Sequence, residues 1–329
     1  MRGLVTVFGG SGFIGSQTVR ALAKQGWRIR VAVRRPWQAY RQRLLGDVGQ
    51  IEIIQANVRV AATVERALEG AEAVVYAVGA AFESGKQQFT ALHAEGPKLA
   101  AEAAARLGVD RFVFISGIGA DPGSASKAGR AKAEGEAAVR ATLPGAVILR
   151  PSVVFGPEDD FFNKLAQMAV LTPVMPVLGA ATRVQPVLVA NVARAASTAL
   201  ADPAAAGRTF ELGGPSVYSM REITEITLAE IGRSRPLLAL PPGPASLLGI
   251  GGDLLAFLRG PLPMLPAPPI TSDQLALLQT DNVVADGAPG LADLGVTPTA
   301  LEPIIATYLY RYRKGGQYAD LAPPAALRA

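Results

Sequence analysis

Arg2-Gly3-Leu4-Val5-Thr6-Val7-Phe8-Gly9-Gly10-Ser11-Gly12-Phe13-Ile14-Gly15 is the stretch whose reading decides the fold. A short apolar run over 2–8 reads as a strand. Glycines spaced G-x-x-G-x-x-G follow, and a helical pattern runs over 13–25. Strand, glycine turn and helix in that order make a phosphate cradle. Gly9 allows the tight turn, Gly12 lets the main chain approach a pyrophosphate, and Gly15 lets the helix lie close to the sheet. Phe13 and Ile14 complete the motif.

Outward from this motif the same alternation repeats. Strand-like runs over 28–33, 51–55, 73–78, 111–116 and 146–149 are separated by helical patterns over 63–69, 96–107 and 128–141. Strands alternating with helices imply a parallel sheet covered on both faces, a doubly wound α/β fold of the Rossmann type. After Arg150 the pattern loosens into helices over 160–169, 191–200 and 218–231, the last with Ser219 as its cap. We therefore expect a dinucleotide-binding domain over 1–155, its sheet completed by later segments, and a smaller, mostly helical carboxyl-terminal lobe over 156–329. Residues 236–269 are rich in proline, glycine and leucine. They are expected to be loop around one short amphipathic helix near 246–258, with Leu247, Ile250, Leu254 and Leu258 on one face. That face can pack on the chain's own core or meet a partner or a membrane surface. A further helix, from Pro303 through Tyr312, brings Arg311, Arg313 and Lys314 to its last turn.

Composition narrows the function. The 329 residues include no cysteine and one histidine, His93, which removes disulfide and thiolate chemistry and makes a metal site unexpected. The net charge is +5, and Arg28, Arg30, Arg34, Arg35, Arg41 and Arg43 all precede the first acid, Asp47. No aromatic RNA-binding signature accompanies these arginines, so nucleic acid is not the expected partner. Neither a signal peptide nor a spanning helix is expected.

The ends of the strands supply the remaining site. Arg34-Arg35 closes the second strand, where an acid would favour the ribose hydroxyls of NAD; arginine suits a 2′-phosphate, so NADPH is the expected cofactor. Asn57-Val58 after the third strand and Ala77-Val78-Gly79 at the end of the fourth lie where the ligand crevice forms. Ser116 ends the fifth. In a reductase of the short-chain type a hydroxyl there polarises a substrate carbonyl, and a lysine, here Lys132, holds the nicotinamide ribose. The tyrosine that normally stands four residues before that lysine is replaced by Ala128, which cannot pass a proton. Tyr218 is a remote alternative phenol, and Asp121, Asp159 and Asp160 read as caps or loop acids. No catalytic residue is therefore assigned.

With these residues in view, the chain resembles an atypical extended short-chain dehydrogenase/reductase, and in particular the NDUFA9-like accessory subunit of respiratory complex I. The resemblance rests on the glycine motif, on Arg150-Pro151-Ser152-Val153-Val154-Phe155-Gly156-Pro157-Glu158-Asp159 with Phe162-Asn163, and on Gln185-Pro186-Val187 with Asn191-Val192-Ala193. Gly213-Gly214-Pro215, Thr271-Ser272-Asp273-Gln274-Leu275 and Asp281-Asn282-Val283 complete it. It implies a bound NADPH with a structural role, Pro151, Ser152 and Val153 beside the cofactor, and other complex I subunits as partners. It also implies a peripheral position against membrane lipid, on the cytoplasmic face of a bacterial inner membrane or the matrix face of a mitochondrial one. The competing reading is a free-standing NADP-dependent reductase or epimerase acting on a small carbonyl or a sugar nucleotide.

Overall fold

The computed structural model describes residues 2–262 and 264–316; the last part of the expected lobe, 317–329, lies outside the described residues. Along the first half run β1 (Arg2–Phe8), α1 (Phe13–Lys24), β2 (Trp27–Val33), β3 (Ile51–Gln55), α2 (Ala61–Leu68), β4 (Ala73–Tyr76), α3 (Gly96–Arg106), β5 (Arg111–Ile115), α4 (Lys127–Thr142) and β6 (Val147–Pro151). A π-helical stretch, Thr90–Glu95, runs directly into α3, with Pro97 in the first turn of α3. The second half holds β7 (Val154–Phe155), α5 (Phe161–Leu171), β8 (Met175–Val177), β9 (Arg183–Val184), β10 (Val187–Leu188), α6 (Val189–Ala201) and β11 (Thr209–Leu212). It continues with β12 (Tyr218–Ser219), α7 (Met220–Glu230), β13 (Leu237–Ala239), α8 (Pro242–Arg259), α9 (Ser272–Leu277) and α10 (Glu302–Leu309).

Seven strands form one parallel sheet in the order β11-β6-β5-β4-β1-β2-β3. Its seventh strand, β11, comes from beyond residue 155 and pairs with β6 from Thr209↔Ile148 to Leu212↔Pro151. The order reverses between β1 and β4, and in open sheets of this kind the ligand crevice opens there, at the carboxyl ends of the strands. The apolar runs of the inner strands are explained by burial on both faces. Val5, Val7, Ile29, Val31, Val75 and Val113 pack with α1 and α6 on one side. Phe8, Val74, Tyr76, Phe112 and Phe114 pack with α2, α3 and α4 on the other. A third cluster, with Phe155, Phe162, Met175, Ile223, Ile305 and Tyr308, is the core of the carboxyl-terminal lobe.

Several expectations are redrawn in the second half. The helix near 246–258 is longer: α8 begins at Pro242. Its predicted face is not packed on the core. Leu247, Ile250 and Leu254 are 71%, 60% and 59% exposed, with Phe257 at 73% beside them. The last helix stops at Leu309 and closes in a 3-10 turn over Tyr310–Tyr312. Two of its three terminal cations have partners inside the lobe, Arg313 on Glu230 and Arg311 on Asn163. The short strands β7 to β10, β12 and β13 have no counterpart in the sequence pattern. Ser219 caps α7 as expected, in a reciprocal capping box with Glu222.

Candidate functional site

The glycine turn is built as the spacing requires. Gly9 has φ +76°, and a Cβ there would come within 2.7 Å of the Ala77 carbonyl oxygen, so only glycine fits. A Cβ on Gly15 would overlap the Gly9 carbonyl oxygen, which fixes α1 directly against the turn. Gly12 is the N-cap of α1 and supplies no side chain to the unpaired N–H groups of the first turn. Amides in this state, at the positive end of a helix and at the carboxyl edge of the sheet, form an anion site suited to a pyrophosphate. Phe13 and Ile14 are the first residues of that turn. Ala77, Val78 and Gly79 run past it from the end of β4, with Ala77 N donating to the Phe8 carbonyl at 3.0 Å.

A cationic corner lies at the ends of β2 and β3. Arg34 and Arg35 follow β2 directly, and both are exposed. Arg34 Nη2 donates to Gln87 Oε1 at 3.1 Å. Its pKa is pushed down by desolvation of the guanidinium at its inner end and by the guanidiniums of Arg35 and Arg59. Arg59 is the residue the sequence reading missed. Asn57 Oδ1 holds it, accepting from its main-chain N at 3.2 Å and its Nε at 3.3 Å, while Nη1 donates to the Lys86 carbonyl at 2.8 Å. Val58, between them, is buried in the core. Among the described residues none of the three arginines forms an ion pair with a carboxylate. Three like charges gathered without a counter-charge suit an anion with several oxygens, such as a phosphate monoester.

The third part is a cavity of about 220 Å³ at the ends of β5 and β6. Ser116, Lys132, Pro151, Ser152 and Val153 all line it, together with Ile14 of the glycine turn. Ser116 is turned to another task, however. Its hydroxyl donates to Glu136 Oε1 at 2.5 Å, and Glu136, itself buried, is gripped by Arg150 Nη2 at 2.6 Å and Nε at 2.9 Å. Arg150 also reaches Glu211 on β11, at 3.6 Å, so the network ties β5, β6, β11 and α4 together. Lys132 projects from α4 toward Gly117, where a Cβ would lie 2.7 Å from its Nζ. Burial pushes its pKa down, and Glu136 and Asp273 partly oppose this. Among the described residues its ammonium enters no ion pair.

Ala128 and the carboxyl-terminal residues Leu277 and Asn282 also line this cavity. No phenol stands there. Tyr218 is engaged in the lobe, its hydroxyl donating to Glu302 Oε1 at 2.7 Å. Asp159 caps α5, accepting from Phe162 N at 2.7 Å and from the Tyr308 hydroxyl at 2.6 Å, and Asp121 accepts from Gly123 N within its own loop. His93 is the one histidine of the chain. It lies beneath the crevice, its Cε1 3.4 Å from where a Gly79 Cβ would be, with Nε2 buried and unpartnered. Burial first, and then the Lys132 charge, push its pKa down to about 3, so the ring is neutral.

The NAD(P)H-binding family model matches residues 9–159, the segment from the glycine turn to Asp159. The chain is 34% identical over 318 residues to the mitochondrial NADH dehydrogenase [ubiquinone] 1 alpha subcomplex subunit 9 of Arabidopsis thaliana, covering 95% of this chain and 79% of that protein. It is 31% identical over 318 residues to the mitochondrial NADH-ubiquinone oxidoreductase 40 kDa subunit of Neurospora crassa, covering 97% and 81%. Among solved structures, the NADPH complex of the Escherichia coli NADPH-dependent quinone oxidoreductase QOR2 shares the fold, with a TM-score of 0.73 at 19% identity over 93% of this chain and 99% of that one. The chain thus belongs to the family of the NADH dehydrogenase (ubiquinone) alpha-subcomplex subunit 9 and 40 kDa subunit, with an NAD(P)H-binding domain in its amino-terminal half.

Proposed function

We propose that this protein is an accessory subunit of NADH:quinone oxidoreductase that holds NADPH as part of its structure and does not turn it over. The observation that carries this reading is the 220 Å³ cavity, whose lining brings Lys132 together with Ala128, Leu277 and Asn282 and includes no phenol. A hydride acceptor would need a proton donor, and the only hydroxyl at the usual position, on Ser116, is bonded to Glu136.

The residues fit the coenzyme in three places. The first turn of α1 takes the pyrophosphate, Arg34, Arg35 and Arg59 take the 2′-phosphate, and Lys132 takes a ribose hydroxyl. NADPH would bring a hydride donor; the protein's own part is to bind it and exclude a substrate. A ligand that binds only the native state stabilises it by about 2.7 kcal/mol at a hundredfold excess over Kd. Such a gain would fasten the sheet to the lobe, because Asn282 and Leu277 of the lobe meet Ile14 and Lys132 of the sheet half in one cavity.

The partners are other subunits of the complex, and α8 offers them a surface. Its exposed Leu247, Ile250, Leu254 and Phe257 form one apolar face, the kind of surface that marks an interaction site. Among the described residues no helix is long and apolar enough to cross a membrane. The helix carries one Asp and one Arg, Asp253 and Arg259, so no cationic face draws it to anionic lipid. Contact with the bilayer edge then rests on apolar area and on neighbouring subunits. The test is gentle detergent extraction from the native source. NADH:quinone activity should co-migrate with the chain, and the nucleotide released on denaturation should be NADP(H). A chain recovered empty and apart from that activity overturns the proposal.

A further inference from the structure

We propose that Asn282 recognises the nicotinamide carboxamide, its Oδ1 accepting from the amide N–H while Lys132 holds the ribose, so that the carboxyl-terminal lobe grips the reactive end of the coenzyme. This rests on the reading of the cavity as the nicotinamide end of a nucleotide site.

Asn282 is fixed on every side but one. Its main-chain N donates to the Arg183 carbonyl at 2.8 Å, and its carbonyl accepts from Ser152 Oγ at 2.7 Å and from Gln185 N at 3.2 Å. Its Nδ2 donates to the Ile118 carbonyl at 3.3 Å. Turning the amide over would set Oδ1 against that carbonyl, acceptor against acceptor, so the orientation follows from the neighbours. Oδ1 is then left buried and without a partner, on a residue that lines the cavity. A desolvated acceptor in this state is costly unless something supplies a donor.

The same cavity is lined by the reverse chemistry, the ammonium of Lys132. The other walls include Ile14, Ile118, Val153 and Leu277, which are apolar. The group that fits must present an N–H donor, a hydroxyl or carbonyl acceptor, and an apolar body. A nicotinamide riboside does so: primary amide, aromatic ring, ribose hydroxyls.

The test uses the full chain and four ligands: NADPH, NADP+, 2′-phospho-ADP-ribose, which lacks nicotinamide, and 3-acetylpyridine-adenine dinucleotide phosphate, which has a methyl ketone in place of the amide. Calorimetric titration of Asn282→Ala should show NADPH and NADP+ weakened roughly fivefold to tenfold, the effect of one hydrogen bond to a buried group. Binding of 2′-phospho-ADP-ribose should be unchanged. Wild type should prefer NADP+ over the acetylpyridine analogue by a similar factor, and Asn282→Ala should bind the two equally. The carboxamide assignment is overturned if the variant loses affinity equally for all four, which marks a structural role, or loses none. A wild-type chain that binds none of the four overturns the nucleotide reading itself, a result distinct from either.

Discussion

The Asp273 carboxylate stands on the first turn of α4, accepting from Ser126 Oγ at 2.8 Å and from Lys127 N at 2.5 Å. Ala128 N points to the same carboxylate at 3.4 Å. An acid from the lobe thus caps a helix of the sheet half, at the residue where a reductase would carry its phenol. The helix dipole favours that charge, and the cap joins two segments almost 150 positions apart in sequence.

Replacing Asp273 by alanine should therefore destabilise the whole chain. The loss of a charged cap is about 1–2 kcal/mol, read as a fall of a few degrees in the thermal midpoint. Asp273→Asn keeps an acceptor and should lose less. An unchanged midpoint for Asp273→Ala would show that the cap contributes nothing to docking of the lobe.

Restoring the phenol should not restore a reductase. Ala128→Tyr puts a hydroxyl four residues before Lys132, but Ser116 remains bonded to Glu136, and Leu277 and Asn282 still line the same cavity. NADPH oxidation with small carbonyl compounds, followed by absorbance, should stay at the wild-type level. The added side chain should also lower stability by about 1–3 kcal/mol, because Ala128 is 7% exposed. Turnover in Ala128→Tyr would mean that only the tyrosine was missing.

The arginine corner gives a prediction of selectivity. Removing Arg34 and Arg35 together, or Arg59 alone, should weaken NADPH by about tenfold or more and leave NADH nearly untouched, each charged hydrogen bond being worth roughly 1.5–3 kcal/mol. The NADPH affinity of wild type should also fall with added salt, since Arg34 and Arg35 are solvent-exposed. Equal loss for both nucleotides would show that the corner does not read the 2′-phosphate.

His93 sets a pH dependence. Its folded pKa of about 3 lies below the ordinary 6.5, so the unfolded chain binds the proton more tightly than the native one. Its contribution to stability is intact above pH 6.5 and is lost as pH falls from there toward 3, with a limiting slope of about 1.4 kcal/mol per pH unit. Thermal midpoints measured from pH 7 to pH 4 should fall less steeply in His93→Gln than in wild type. Parallel profiles would mean that other groups govern the acid transition.

What could be read in advance follows the range of the interactions. The glycine turn was legible because Gly9, Gly12 and Gly15 act within one turn of chain, and Arg34-Arg35 because they directly follow a strand. Arg59 was not, since only the pairing of β2 with β3, with Val33 opposite Gln55, brings Asn57 and its neighbour to the same corner. Ser116 is expected beside the cofactor from its place at the end of a strand, which says nothing of Glu136, reaching it from α4. Asn282 lies 164 positions from the Ile118 carbonyl it meets. The two-residue strands β7, β9, β10 and β12 have no room for an alternating pattern, and Pro242 hid the start of α8 although proline is well tolerated in a first turn.

The exposed face of α8 makes the last prediction. Ile250→Glu and Leu254→Glu place charges where the side chains are now 60% and 59% exposed, so the isolated fold should change by no more than about 0.5 kcal/mol. Nucleotide binding should persist, because neither residue lines the 220 Å³ cavity. Association should not persist, because a buried interface tolerates an unpaired carboxylate poorly. Expressed in the native source, the double variant should be soluble, loaded with nucleotide and absent from the fraction carrying NADH:quinone activity. If it still sediments with that fraction, α8 is not the contact, and the docking surface lies elsewhere on the lobe.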